Sequence, residues 1–420
     1  MKKILLTCIA TLMAFPVFAQ NGYDGPGFYR IQNQGKAGRF LSLRNDKISE
    51  ESRKIDFSSG TAAHTGVEAL ELVRSKDGNP GTILYISGNA SGFIIEAQGI
   101  NTDKLLNDFH YGDLTLRMSN KEELCSTYQG MQVDLIDYCY MYPITKDGFC
   151  GVVGTSYVRQ LDTEDKPYAL WTFKKIDNES NFFGINPSEG IQIDDKYYTT
   201  IFATFAFQLR EGLKAYYIDQ HNYSKNIAEP IAELKEITDG KIPASTPVII
   251  ECSSSSVANN KVTLLNETIS PITGNELKGR IFSFIPTEDE DQSMKNALEF
   301  NKNTMRVLGV KDGKLAMVTD NNNSLKVVSK KSGDKEYYIP ANKAYLTINS
   351  SDATATDKGI KLLLPEEYAV ATSINKVMNE DLPAKEGVYT LTGVKVKDTN
   401  SIEDLPSGIY IIGGKKQVVK

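Results

Sequence analysis

The stretch Lys196-Tyr197-Tyr198-Thr199-Thr200-Ile201-Phe202-Ala203-Thr204-Phe205-Ala206-Phe207 decides the fold class. Aromatic and β-branched residues fill it, and no apolar spacing of three or four persists along it. The chain runs on through Glu211-Gly212-Leu213-Lys214-Ala215-Tyr216-Tyr217-Ile218 to Ile242-Pro243-Ala244-Ser245-Thr246-Pro247-Val248-Ile249-Ile250. Glycine and proline punctuate short apolar runs there, which reads as consecutive strands joined by tight turns. The sequence therefore predicts a mainly β protein.

Towards the N-terminus the same texture repeats. Phe28, Arg30 and Gln32 alternate with Tyr29 and Ile31, and a glycine-bearing turn leads to Phe40, Leu41 and Leu43. That is the period and punctuation of a hairpin. Comparable units return at 82–95 and 148–159, and the last closes on Leu170-Trp171-Thr172-Phe173. Ser119-Asn120-Lys121-Glu122 has the form of a capping box and opens a candidate helical insertion over Leu124 to Tyr140. Three weak repeats over roughly 150 residues suit a three-lobed β unit.

Tyr29-Arg30-Ile31-Gln32-Asn33 with Gly38-Arg39-Phe40-Leu41 resembles the opening strand pair of a ricin-type β-trefoil lobe. Leu170-Trp171-Thr172-Phe173 resembles the closing strand of such a lobe. The resemblance implies a β-trefoil-like domain over residues 25–177 and a role in binding glycans. On that reading Tyr29, Phe40, Tyr157 and Trp171 are the candidate ligand-binding residues, because aromatic rings stack on sugar rings. Ala169-Leu170-Trp171 stands where a sugar-binding lobe carries Gln-x-Trp. Strand aromatics more often fill a core or pair across strands, and that alternative stands beside the ligand reading.

Asp177 to Asn186 is polar and glycine-bearing, as a linker is. A central β-sandwich-like domain is expected over 183–348. Its phrase Ile242-Pro243-Ala244 recurs as Ile339-Pro340-Ala341, each ahead of a further apolar pair, so two related strand starts are expected. Asp312-Gly313 between Met305-Arg306-Val307-Leu308 and Leu315-Ala316-Met317-Val318 predicts a hairpin. Gln292 to Lys302 reads as a short helix. The whole block is similar to a β domain of exported Bacteroidetes proteins.

Residues 350–357 are small and polar, a solvated loop. Over 358–420 a linker leads to a small C-terminal β tail, with strands expected at Gly387 to Val396, Leu405 to Ile412 and Lys415 to Lys420. The tail resembles the sorting modules carried by cargo of type IX secretion. The resemblance implies secretion machinery as a partner of the tail.

At the other end Lys2 and Lys3 precede the apolar run Ile4 to Phe15 and the compact Val17-Phe18-Ala19. This is the pattern of a signal peptide over residues 1–19, cut near Ala19, and the apolar run is too short to span a membrane. The expected destination is the cell surface or the extracellular space, with the periplasm as alternative. Cys8 follows Leu5-Leu6-Thr7, a weak likeness to a lipoprotein box.

The chain has 420 residues, 40% hydrophobic content and a formal net charge of -6. A mildly acidic chain of mixed charge gives no electrostatic reason to bind nucleic acid or an anionic membrane. Cys125, Cys139, Cys150 and Cys252 admit three disulfide pairings or free thiols. His64, His110 and His221 lie far from one another and from any cysteine pair, so no metal site or cofactor is expected. Glu288-Asp289-Glu290-Asp291 and Asp320-Asn321-Asn322-Asn323-Ser324 carry oxygen ligands without the spacing of a calcium loop. No nucleophile motif or phosphate loop occurs. The functional expectation is a non-catalytic binding protein for a glycan or another cell-surface partner. A glycosidase-type hydrolase, whose acids need no sequence proximity, and an adhesive surface component are the alternatives.

Overall fold

The structure is a computed structural model. It describes residues 23–35, 38–43, 70–73, 77–89, 92–96, 116–119, 139–143, 149–153, 157–161, 170–222, 229–281, 283, 285, 295, 297–357, 359–379, 387–391, 393–413 and 415–419. The leader, Cys125, His64, His110, the acidic run 288–291 and most of the candidate insertion Leu124 to Tyr140 lie outside the described residues. The described elements are mainly β.

Ten strands form the N-terminal part. They are β1 (Gly27–Asn33), β2 (Phe40–Leu43), β3 (Leu70–Val73), β4 (Leu84–Asn89) and β5 (Gly92–Glu96). After these come β6 (Leu116–Ser119), β7 (Cys139–Pro143), β8 (Phe149–Val153), β9 (Tyr157–Leu161) and β10 (Leu170–Lys175). Strands β1, β4, β5, β6, β7 and β10 pair antiparallel in turn, and β10 pairs back onto β1, so these six close a ring. Hairpins β2–β3 and β8–β9 meet outside it through Glu71 and Tyr157. The ring's centre is apolar: Tyr29, Ile31, Leu84, Ile86, Trp171 and Phe173 are buried.

The central part is a ten-stranded sheet that curls on itself. Its spatial order is Gln192–Ile193, Lys196–Ile201, Val248–Cys252, Leu213–Asn222, Ile231–Glu236, Ile360–Leu363, Lys314–Val318, Met305–Lys311, Lys343–Thr347 and Leu277–Arg280. One pair, Ile231–Glu236 with Ile360–Leu363, is parallel, so the sheet takes in chain beyond residue 348. The curl brings Lys196–Ile201 against Lys343–Thr347, where Thr200 Oγ1 accepts from Ala344 N at 3.1 Å. Two three-stranded sheets cover it.

Alternation explains the apolar runs. Val248, Ile250 and Cys252 pack with Phe205, Phe207 and Val262 on one face. Ile249 packs with Tyr216, Ile218 and Ile360 on the other. A strand buried on both faces needs apolar residues at every position, which is why Val248-Ile249-Ile250 lacks a polar side. The first of these cores also holds Phe28, Ile83 and Ile176, so ring and central sheet share apolar burial.

The segment 177–186 between them is pinned. Asp177 Oδ1 accepts from Glu179 N and Asn181 N at 2.8 Å, and the side chain of Asn181 accepts from the fully buried Arg30 at 2.8 Å. Burial pushes the Arg30 guanidinium down to about 10, opposed by nearby Asp77.

The Asp312-Gly313 hairpin forms with both residues at positive φ (51° and 72°), as a tight mirror-image turn needs. The helix expected over Gln292 to Lys302 is corrected in its described half. Leu298–Glu299 is a strand that pairs with Ile339 and Tyr338, so cross-strand pairing wins over local helical spacing. The helix of the described residues is Pro365–Asn379, and no described helix is long and apolar enough to cross a membrane. The tail is a four-stranded sheet in which Val388 and Ile412 are buried while Leu391, Val394, Ile402 and Val418 are exposed.

Candidate functional site

The two Ile-Pro-Ala phrases end alike. Ser245 and Asn342, the residues that follow them, have φ of 54° and 58°, left-handed backbone that costs a non-glycine residue about 1 kcal/mol. Both grip one segment: Ser245 N donates to Ala203 O at 2.8 Å, and Phe202 N donates to Asn342 O at 2.9 Å. Each turn also borders a cavity. The Ser245 side opens on about 640 Å³, lined by Thr246, Asn266, Glu267 and Ile269 among others.

The Asn342 side is chemically richer. A cavity of about 290 Å³ lies between the turn Gly78-Asn79-Pro80 of the N-terminal part and Asn186, Thr199, Asn342 and Lys343 of the central part. Beside it lies a second, of about 550 Å³, lined by Asn186, Ser188, Glu189, Gln192, Tyr197, Ser255, Asn323 and Lys343. Asn186 and Lys343 border both, which makes them one cleft. Gly78 permits the approach of its two walls, because a Cβ there would lie 2.9 Å from Asn186 Cβ.

Local geometry sets the cleft's polar groups. The left-handed Asn342 turns the chain so that Lys343 Nζ donates to Thr199 Oγ1 at 2.6 Å. Thr199 and Ser188 hydroxyls are 2.9 Å apart, giving a line Lys343, Thr199, Ser188 along the wall. Burial pushes the Lys343 ammonium down to about 8, with Cys252 working the other way. The Cys252 thiol is itself pushed up to about 12 by burial. No carboxylate among the described residues forms an ion pair with Lys343, and the side chains of Asn186 and Ser255 make no hydrogen bond within the described protein. Glu251, on the strand behind, accepts from Tyr198 at 3.2 Å and Tyr216 at 3.1 Å. Burial raises both phenols above the ordinary tyrosine range.

The residues singled out from the sequence lie elsewhere. Tyr29 and Trp171 are fully buried and Phe40 is 5% exposed. The Tyr29 hydroxyl donates to Gly25 O at 2.7 Å, and its ring packs edge-on against Phe173. A ring with no accessible face offers none to a sugar. Tyr157 lies on β9 opposite Glu71, apart from the β1–β10 pair that holds Tyr29 and Trp171. Cys252 is a free buried thiol, while Cys139 and Cys150 lie on β7 and β8. The run 320–324 is a turn in which Asn321 Oδ1 accepts from Asn323 N and its amide donates to Leu308 O. Among the described residues no group of His, Cys, Asp or Glu is placed to hold a metal. Lys343 and Tyr197 were not singled out from the sequence; the signal nearest to them was the repeated Ile-Pro-Ala.

No family model and no curated protein matches the chain. A solved structure titled "Structure and mode of action of a mosquitocidal holotoxin" is similar at 9% identity, with a TM-score of 0.23. The match covers 79% of this chain and 48% of that one, so the chain spans about half that neighbour's length. A score so low carries no argument about fold or activity.

Proposed function

We propose that the chain is an exported, non-catalytic binding protein and that the cleft shared by Lys343 and Asn186 holds a saccharide. The observation that carries this reading is the make-up of the cleft. The partly buried Tyr197 supplies a ring face, while Asn186, Ser188, Gln192, Ser255 and Asn323 supply amides and hydroxyls. Sugars are bound by that mixture of an apolar ring surface and convergent small polar groups. Export rests on the Lys2-Lys3 leader pattern, and the tail is assigned to recognition by secretion machinery. We assign the N-terminal part to the β-trefoil class. The six-strand ring with flanking hairpins supports that assignment, and the curled sheet with its covering sheets supports a sandwich-like central domain.

The test is a glycan array probed with the full chain and with Tyr197→Ala. Binding of a saccharide family by the wild type, weakened about tenfold or more by Tyr197→Ala, is expected for the loss of one stacked ring. Saccharide binding that ignores Tyr197 contradicts the placement, and hydrolysis of the arrayed sugars contradicts the non-catalytic reading.

A further inference from the structure

The cleft holds a cation with which no carboxylate among the described residues forms an ion pair. Two other lysines of the central part have acidic partners: Lys241 with Glu267 at 2.8 Å and Lys261 with Glu179 at 3.6 Å. Among the described residues Lys343 instead has one hydroxyl partner, Thr199 at 2.6 Å, and an ammonium has three protons to donate. The charged groups that face it from neighbouring elements do not supply the missing charge. The Cys252 thiol, pushed up to about 12, is neutral at pH 7. Glu251 bonds to two tyrosine hydroxyls and makes no ion pair with Lys343, and the exposed Glu189 lines the second cavity only, likewise without an ion pair to Lys343. With its own value at about 8, Lys343 stays mostly protonated at pH 7. A desolvated ammonium without a counter-charge is a standing cost that an anionic ligand removes.

We infer that the saccharide of this cleft is acidic, and that the Lys343 ammonium donates to its carboxylate or sulfate where the two cavities meet. This rests on the saccharide reading above for the ligand's scaffold, and on Lys343 alone for its charge. The anion takes the two ammonium donors that Thr199 leaves over, and the Asn186 amide lies beside it on the same shared wall. Glu189 makes the second cavity unfavourable for a second negative group, so one acidic group placed at the Lys343 end is the expected pattern.

The experiment compares uronate, sialate and sulfated glycans with their methyl-esterified or desulfated counterparts, using the wild-type full chain and Lys343→Met. In parallel, the Lys343 ε-ammonium is followed by NMR while acetate is added. The inference expects acidic forms to bind at least about tenfold tighter than neutral forms, as one charge-assisted hydrogen bond gives. Lys343→Met erases that difference and keeps the circular dichroism of the wild type. The uronate and sulfate arms show which anion is taken. Equal binding of acidic and neutral forms overturns the inference and leaves the saccharide reading standing. Acetate that shifts the Lys343 signal while no glycan binds does the reverse. If no anion perturbs Lys343 in either experiment, the inference is overturned.

Discussion

Lys343 carries the residue-scale argument, and its titration checks it. Its folded value near 8 lies below the ordinary 10.5, so between those pH values the unfolded chain holds the extra proton. The Lys343 contribution to stability therefore rises with pH across that window, and the full cost of burying the ammonium is felt below pH 8. Allowing for its partial exposure, that cost is roughly 2 kcal/mol. Lys343→Met removes it and should be more stable than wild type at pH 7, with the advantage shrinking by pH 9.5. Urea unfolding of both proteins at the two pH values measures the difference; a constant difference contradicts the desolvated cation. Cys252, raised by burial from 9.0 to about 12, lowers stability from about pH 9 upward, but it does so in both proteins and so leaves their difference to Lys343. Nothing in the local sequence Ala341-Asn342-Lys343-Ala344 marks this lysine. Its environment comes from Thr199, 144 positions away, and from Cys252, and both arrive only by folding.

At the scale of elements, turns and alternation were legible and closures were not. Asp312-Gly313 is read from two residues, because positive φ at both positions restricts the choice of side chain. Gly279 is as constrained but carries no local signature: a Cβ there would lie 2.2 Å from the ring of Phe202, which follows directly on the strand Lys196–Ile201. Gly279→Val should thus cost about 3 kcal/mol or more by overpacking. Gly313→Ala, with open space but φ at 72°, should cost about 1 kcal/mol. Urea midpoints of the two variants rank them, and the reverse order contradicts the packing. Arg306 makes the same point about legibility. Its buried guanidinium donates to Thr356 O and Ala353 O at 3.1 Å, anchoring a loop that composition alone reads as solvated. Tyr29 and Trp171 show the converse: alternation sets Tyr29 with Ile31 on one face of its strand, and only the ring closure buries that face.

For the whole molecule, the shared core joins what the sequence divides at about residue 180. Phe28 packs edge-on against Phe205 at 6.2 Å, and Ile83 and Ile176 belong to the same cluster. Ring and central sheet should consequently unfold in one calorimetric transition, and Phe205→Ala should lower it by about 3–5 kcal/mol. Two separable transitions contradict a common core. The tail is different: Val388 and Ile412 are buried in it, and its outer strands leave Val396 and Val418 in solvent. Truncation after Asn379 should leave the melting transition in place and abolish display outside the cell. Loss of melting with display retained contradicts the address proposed for it. The central claim, that ring and sheet together build a saccharide cleft at Lys343, is tested most directly by hydrogen–deuterium exchange of the full chain. The exchange is compared with and without the acidic glycan that the array selects. Protection confined to 77–80, 186–199, 253–257 and 341–344 is the predicted result, and protection centred instead on the outer hairpins β2–β3 and β8–β9 would contradict it.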